Sequence, residues 1–284
     1  MRGRAARARR AAIAHRFQLL WHDVVIETDD IDAHEALRYL AQRASHSYEP
    51  KRSMRYVVEG GGRILEEGDE LAQVDDARGV LDAVYRRVHQ RAFELASLMG
   101  WVRVHGALVT LGGRRVLIVG DSGVGKTTLA CRLLFDLVPV QCDESVVVRA
   151  GHVVAVARPF HLKPGIDEFV PELTPTIGAL PVLAADPPIH AFDPAVAGFE
   201  WMIEDVVLDD VVVAQRTAGE STLTAVRATE AMPTIVDQVF RNRERRATVL
   251  REVAATLRTA RCWRLELGDV AGAAARLEAL AQLG

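Results

Sequence analysis

Residues 116–127 read VLIVGDSGVGKT, an apolar run that breaks into a glycine-rich octet and then into helix-forming sequence. The octet Gly120-Asp121-Ser122-Gly123-Val124-Gly125-Lys126-Thr127 satisfies G-x-x-x-x-G-K-[ST] in full, and it follows an apolar strand and precedes a helix, as that pattern requires. Glycines let successive backbone N–H groups converge on phosphate oxygens with no Cβ in the way. The N-terminus of the next helix, expected from Lys126 to about Leu137, adds partial positive charge. Lys126 can then reach β- and γ-phosphates, the Thr127 hydroxyl can ligate Mg²⁺, and Thr128 extends the nucleotide-binding stretch. An α/β protein that binds ATP with Mg²⁺ is the expectation.

The surroundings of the loop differ from a βαβ unit, in which the next strand runs parallel. WVRVHGALVTL and RRVLIV are joined by Gly112-Gly113 and read as an antiparallel hairpin leading into the loop. After the helix come VPVQC, SVVVR, an AGH turn and VVAVAR. Antiparallel neighbours are expected on both sides, in a mixed, hairpin-rich sheet. Two stretches offer the carboxylates that phosphoryl transfer needs. VVLDD, ending at Asp209 and Asp210, has the look of a Walker B strand, although any strand entering a loop can end so. Cys142-Asp143-Glu144 closes the strand immediately after the helix, where it would deliver Asp143 and Glu144 beside the phosphates. RPFHLKPG supplies Arg158, His161 and Lys163, which suit phosphate or substrate binding and equally suit a solvated loop.

The remaining chain divides into an Arg- and Ala-rich arm over 1–15 that reads as disordered, a small α+β unit over 16–100 and the phosphate-loop domain over 101–284. In the front unit FQLLWHDVVIETDD has strand character, and Asp30 is placed to cap a helix through IDAHEALRYLAQRA. SMRYVVEGGGRILEEGDELAQV reads as two strands joined across Gly60–Gly62, and a longer helix runs from Asp75 or Asp76 to Gly100. The stretch from Pro159 to Pro194 is proline-rich and aperiodic. Beyond it WMIEDVVLDDVVVAQRT is strand-like, TEAMPTIVDQVFRNRERRATVLREVAATLRTA is mostly helical, CWRLELG is a strand and DVAGAAARLEALAQL a closing helix.

Composition narrows the partners. The formal net charge is −3, so no global basic field points to nucleic acid. Apolar runs stay short of the roughly 20 residues that span a bilayer. Three scattered cysteines fit a reducing, cytoplasmic setting better than a disulfide framework.

Taken together, His105-Gly106, the GDSGVGKT loop and Asp143-Glu144 resemble the HPr serine kinase/phosphorylase family, with its His-Gly strand, GDSG-x-GKS loop and Asp-Asp pair after the helix. The resemblance covers about residues 104–150 closely, and CWRLELGDVAGAAARLEAL is similar to divergent HPr-kinase-like proteins. It implies a P-loop kinase core of the HPr-kinase/PEP-carboxykinase-like type. By the same resemblance Asp143 is the general base for an acceptor hydroxyl, Glu144 helps Asp143 and Thr127 hold Mg²⁺, and His105 tunes the charge of Asp143. The chain departs from the family at Thr128, where the family has Glu, and has no counterpart of its later basic, glycine-containing segment. Phosphorylase activity is therefore not carried over, and HPr gives up first place among the acceptors. Divergent relatives with this look act on ribosomally made peptides, such as lasso-peptide precursors, and on free serine.

The reading is an ATP- and Mg²⁺-dependent kinase for a serine or other hydroxyl, with a peptide or small protein as acceptor and self-association allowed. A natural-product precursor peptide ranks ahead of HPr. Free serine or another small molecule follows, and a nucleotide-dependent regulatory ATPase or switch is the rival of another class.

Overall fold

The computed structural model describes residues 12–185, 187–239 and 246–282, with side chains left aside at 184 and 185. Residues 1–11 of the basic arm and the arginines at 241–245 lie outside the described residues, while Ile13–His15 already form strand. By internal contacts the chain divides into one unit comprising the residues up to Gln42 with Pro50–Ala92, and a second comprising Arg43–Glu49 with Phe93–Gly284. Among the described residues no helix is long and apolar enough to cross a membrane.

The first unit holds β1 (Ile13–Leu19), β2 (His22–Thr28), α1 (Ile31–Leu37), β4 (Arg52–Glu59), β5 (Arg63–Glu66), β6 (Asp69–Gln73) and most of α2 (Ala77–Leu98). Its sheet has the order β1-β2-β4-β5-β6, with β2 and β4 parallel and the other pairs antiparallel. Along β2 buried and half-buried residues alternate, the signature of a sheet with one face turned inward. The Asp30 carboxylate accepts from the Asp32 and Ala33 amides at 2.9 and 3.0 Å, as a helix cap does. The helix it starts is shorter than expected, because Arg38–Gln42 turn away and Gln42 Nε2 ties back to the Gln18 carbonyl at 2.7 Å. The segment expected to be one strand after Gly62 is two, since Glu67 and Gly68 both adopt positive φ and fold β6 back on β5. In α2, Val80, Val84, Val88 and Ala92 repeat every four residues and are all buried. Arg87 and Arg91 reach from this helix to Glu66 of β5.

The second unit contains β3 (Ser45–His46), β7 (Val102–Leu111), β8 (Arg114–Val119), α3 (Lys126–Phe135), β9 (Val140–Cys142), β10 (Ser145–Arg149), β11 (His152–Ala155) and β12 (Phe160–Leu162). There follow α4 (Thr174–Ile177), β13 (Val182–Ala185), β14 (Pro188–Phe192), β15 (Met202–Ile203), β16 (Asp205–Val207), β17 (Asp210–Arg216) and β18 (Thr222–Val226). Last come α5 (Ala228–Asp237), α6 (Arg246–Thr259), β19 (Arg261–Leu267) and α7 (Val270–Glu278). The main sheet runs β16-β11-β10-β7-β8-β17-β19-β18, with β9 also paired to β7. It is a mixed α/β arrangement. The β7–β8 turn places Gly112 and Gly113 at φ 53° and 84°, the left-handed pair that a two-residue hairpin favours.

The expectation of antiparallel neighbours on both sides of the loop is not met. The strand feeding the loop, β8, has an antiparallel neighbour in β7 but a parallel one in β17. Val211–Ala214 are all buried, the near-continuous apolar run of a strand covered on both faces. The stretch from Pro159 to Pro194 contains more order than its aperiodic sequence suggests, in a short sheet β12-β14-β13. The strand β18 is absent from the sequence reading; none of its residues is buried, and its register comes from β19.

Candidate active site

The loop after β8 is held by close backbone approach. A Cβ on Gly120 would lie 2.5 Å from the Ala214 carbonyl oxygen of β17, so nothing larger fits there. Gly123 and Gly125 adopt φ 83° and 109°, conformations that L side chains avoid. Val124 is buried, and Asp121 Oδ1 accepts from Gln238 Nε2 at 3.3 Å. The helix α3 begins after Gly125 with no side-chain cap, which leaves first-turn amides for an anion. Lys126 folds over the loop, donating to the Gly120 and Asp121 carbonyls at 2.7 and 3.1 Å. Burial brings its pKa down to about 8, against the opposing pull of Asp121 and Asp143.

The second element is the corner between β9 and β10. Both strands pair with β7, so Asp143 and Glu144 occupy the bend where the chain passes from one to the other. Gly106 N–H donates to the Glu144 carbonyl at 2.9 Å, which fixes the corner opposite the His-Gly pair. Thr127 Oγ1 donates to Asp143 Oδ2 at 2.9 Å. Asp143 is buried, and desolvation raises its pKa despite Arg158 and the Thr127 hydrogen bond. Its other oxygen, Oδ1, makes no hydrogen bond among the described residues and faces Arg158 Nη2 at 3.8 Å.

Arg158 is itself buried and pairs with Glu144, while its Nη1 lies 2.7 and 2.8 Å from the two ring nitrogens of His161. A guanidinium set against an imidazole requires an unprotonated acceptor nitrogen. His105 is neutral for another reason. Burial, then Lys126 and Arg158, lower its pKa to about 4, so it is neutral near pH 7.

These groups meet on a cavity of about 400 Å³. Its lining includes His105, Ser122, Gly123, Gly125, Lys126, Thr127 and Thr128, together with Asp143, Glu144, His161 and Lys163. Arg158 pairs with Glu144 and does not line the cavity, and Gly120, Asp121 and Val124 shape the loop without lining it. Five apolar or small residues complete the wall: Pro164, Gly165, Ile166, Phe169 and Ile189. Arg216, from the end of β17, also lines it. None of these six stood out in the sequence. Arg216 carried one faint signal, as a cation ending an apolar run.

The competing carboxylates are elsewhere. Asp210 begins β17 opposite Val116, at the end of the strands away from Gly120. It is fully buried under Arg114, Arg261 and Trp263, whose nitrogens lie 2.7, 3.1 and 2.8 Å from its oxygens. Asp209 accepts from the Arg115 amide at 2.8 Å. The Walker B reading of this pair is thereby corrected: the acids precede the core strand instead of ending it.

Among the described residues no three His, Cys, Asp or Glu side chains gather as a metal cage. Magnesium does not need one, since it commonly takes one or two carboxylates and completes its shell with phosphates and water. Thr127, Asp143 and Glu144 fit that role, and the buried Asp143 Oδ1 without a hydrogen bond is an acceptor that a cation would satisfy.

No protein-family model matches the chain, and no curated protein matches it. Among solved structures, the Hpr(Ser) kinase/phosphatase from Coxiella burnetii is similar over 64% of this chain and 99% of that one, with 10% identity and a TM-score of 0.35. The chemistry of the site rests on the residues themselves.

Proposed function

We propose that this protein is an ATP- and Mg²⁺-dependent kinase that transfers the γ-phosphoryl group to a serine or other hydroxyl of a peptide or small protein. The observation that carries the proposal is the Thr127–Asp143 hydrogen bond, which ties a buried carboxylate of raised pKa to the first turn after the phosphate loop. A base for a hydroxyl works best when its pKa is moved toward the operating pH. Asp143 accepts the hydroxyl proton, the oxygen attacks the γ-phosphorus, and the bond to the β–γ bridging oxygen breaks to release ADP. Lys126 and the α3 N-terminus offset the charge on the phosphates. Thr127, Asp143 and Glu144 are the residues that would hold Mg²⁺, whose chemistry there is neutralising phosphate oxygens.

The apolar wall formed by Pro164, Ile166, Phe169 and Ile189 supports an acceptor that brings apolar groups beside its hydroxyl, as a peptide can. Phe169 is about half exposed and available to such a partner. A natural-product precursor peptide ranks before HPr, and free serine follows. The test is γ-phosphate transfer from labelled ATP and Mg²⁺ to serine-bearing precursor peptides, HPr and free serine. Transfer to one acceptor, lost in Lys126→Ala and Asp143→Asn, is the expected result. Release of inorganic phosphate alone, equally fast in Asp143→Asn, would replace the kinase with a regulatory ATPase.

A further inference from the structure

The loop strand β8 lies between two different neighbours. On the β7 side are His105 and the corner that carries Asp143 and Glu144. On the β17 side the chain ends its strand at Arg216. The parallel register puts Val213 opposite Val119, so Arg216 lies three residues beyond the level at which β8 gives way to the loop. The contact between the Gly120 position and the Ala214 carbonyl shows how closely β17 follows the loop's first residue.

Arg216 stands on a rigid base, since Val211–Ala214 are all buried, while its own side chain is exposed and lines the cavity. Among the described residues that side chain has no hydrogen bond or ion pair, whereas Arg114 and Arg132 are committed to Asp210 and to Asp136 and Glu172. An uncommitted guanidinium facing a phosphate-binding loop suits a phosphate, which it can grip through two parallel N–H donors.

The sheet order supplies the direction. Resting on the kinase reading, the γ-phosphate must meet the acceptor hydroxyl where Asp143 can take its proton, on the β7 side. The rest of the nucleotide then extends toward β17. We propose that Arg216 grips the α- and β-phosphates, so that the nucleotide crosses the loop with its γ-phosphate toward Asp143 and its nucleoside toward β17 and β19.

Calorimetric titration with ADP and with adenosine 5′-(β,γ-imido)triphosphate, both with MgCl₂, tests this on the full chain. Wild type is compared with Arg216→Ala, whose fold is checked by circular dichroism. The expected result is that Arg216→Ala weakens both ligands by the same factor, about tenfold or more for a lost charge-assisted hydrogen bond. Unchanged affinity for both would overturn the assignment. So would a loss confined to the triphosphate, which would put Arg216 at the γ end. Binding of neither ligand by wild type would overturn the nucleotide reading itself, and this assignment with it.

Discussion

Thr127 Oγ1 donates a 2.9 Å hydrogen bond to Asp143 Oδ2, joining the first turn of α3 to the corner between β9 and β10. The two residues come from separate elements, and the proposed phosphoryl transfer gives each a second task. Thr127 closes the glycine-rich loop and suits a metal ligand, while Asp143 is a buried carboxylate, the proposed base, whose other oxygen faces Arg158. Their contact puts the glycine-rich loop and the proposed proton acceptor in one small site.

Asp143→Asn keeps the shape of that contact and removes the base. The expected outcome is a fall in transfer of about 10²–10⁴-fold, the usual worth of a general base. Affinity for ADP measured without MgCl₂ should stay within about threefold of wild type, because the loop amides and Lys126 are untouched and the metal that Asp143 would help hold is absent. Transfer rates and calorimetric ADP binding on the same preparation check both halves. Asparagine that transfers at the wild-type rate would remove Asp143 from the chemistry.

The pH dependence of kcat/KM should be a bell. Its acid limb belongs to Asp143, which must be ionised to accept a proton and whose pKa burial raises; activity is lost as pH falls through that value. Its alkaline limb belongs to Lys126, which loses its charge as pH rises through about 8. His105, pulled down to about 4, stays neutral across the working range and adds no limb between them. In kcat the alkaline limb should move upward, because bound phosphate favours the charged lysine. Rates at saturating and limiting ATP from pH 5 to 10 separate the two profiles.

The parts of the site legible in the sequence are those built by local chain. The loop from Gly120 to Thr127 is contiguous, and the corner at Asp143 is one helix and one short strand further on. Arg216 is barely legible because its place depends on β17 pairing in parallel with β8, a contact between distant segments that periodicity does not report. The same pairing explains the error at Asp209 and Asp210. Their acids seemed to end the run VVL, yet Asp210 opens the core strand and so lies at its opposite end. Phe169 and Ile189 come from a proline-rich stretch whose short strands have too few residues to show a period.

Asp210 gives a contrasting variant. Its carboxylate is fully buried under two arginines and the Trp263 indole, so removing it leaves charge and donors without their acceptor. Asp210→Ala should cost about 3 kcal/mol of stability, read as a lower urea midpoint. ADP affinity of the folded protein should not change. A metal-binding aspartate would behave in the opposite way, with stability kept and transfer lost.

Gly106 tests why the His-Gly pair contains a glycine. A Cβ there would fall 2.8 Å from the Ile118 carbonyl oxygen and 3.0 Å from Leu117 Cδ1, both on the adjacent strand β8. Gly106→Ala must therefore push β7 from β8, at a cost of about 1–3 kcal/mol. The displacement acts on the site as well, because the Gly106 amide holds the Glu144 carbonyl at the corner that carries Asp143. Transfer should fall more than ADP binding does, since the loop's own amides are not anchored to Gly106. Gly219→Ala is the control: its Cβ would meet only Thr217 Oγ1, at an ordinary 3.9 Å, and both stability and transfer should match wild type. Equal stability of Gly106→Ala and Gly219→Ala would mean that the strands have room for the methyl group, and that close packing is not what requires glycine beside His105.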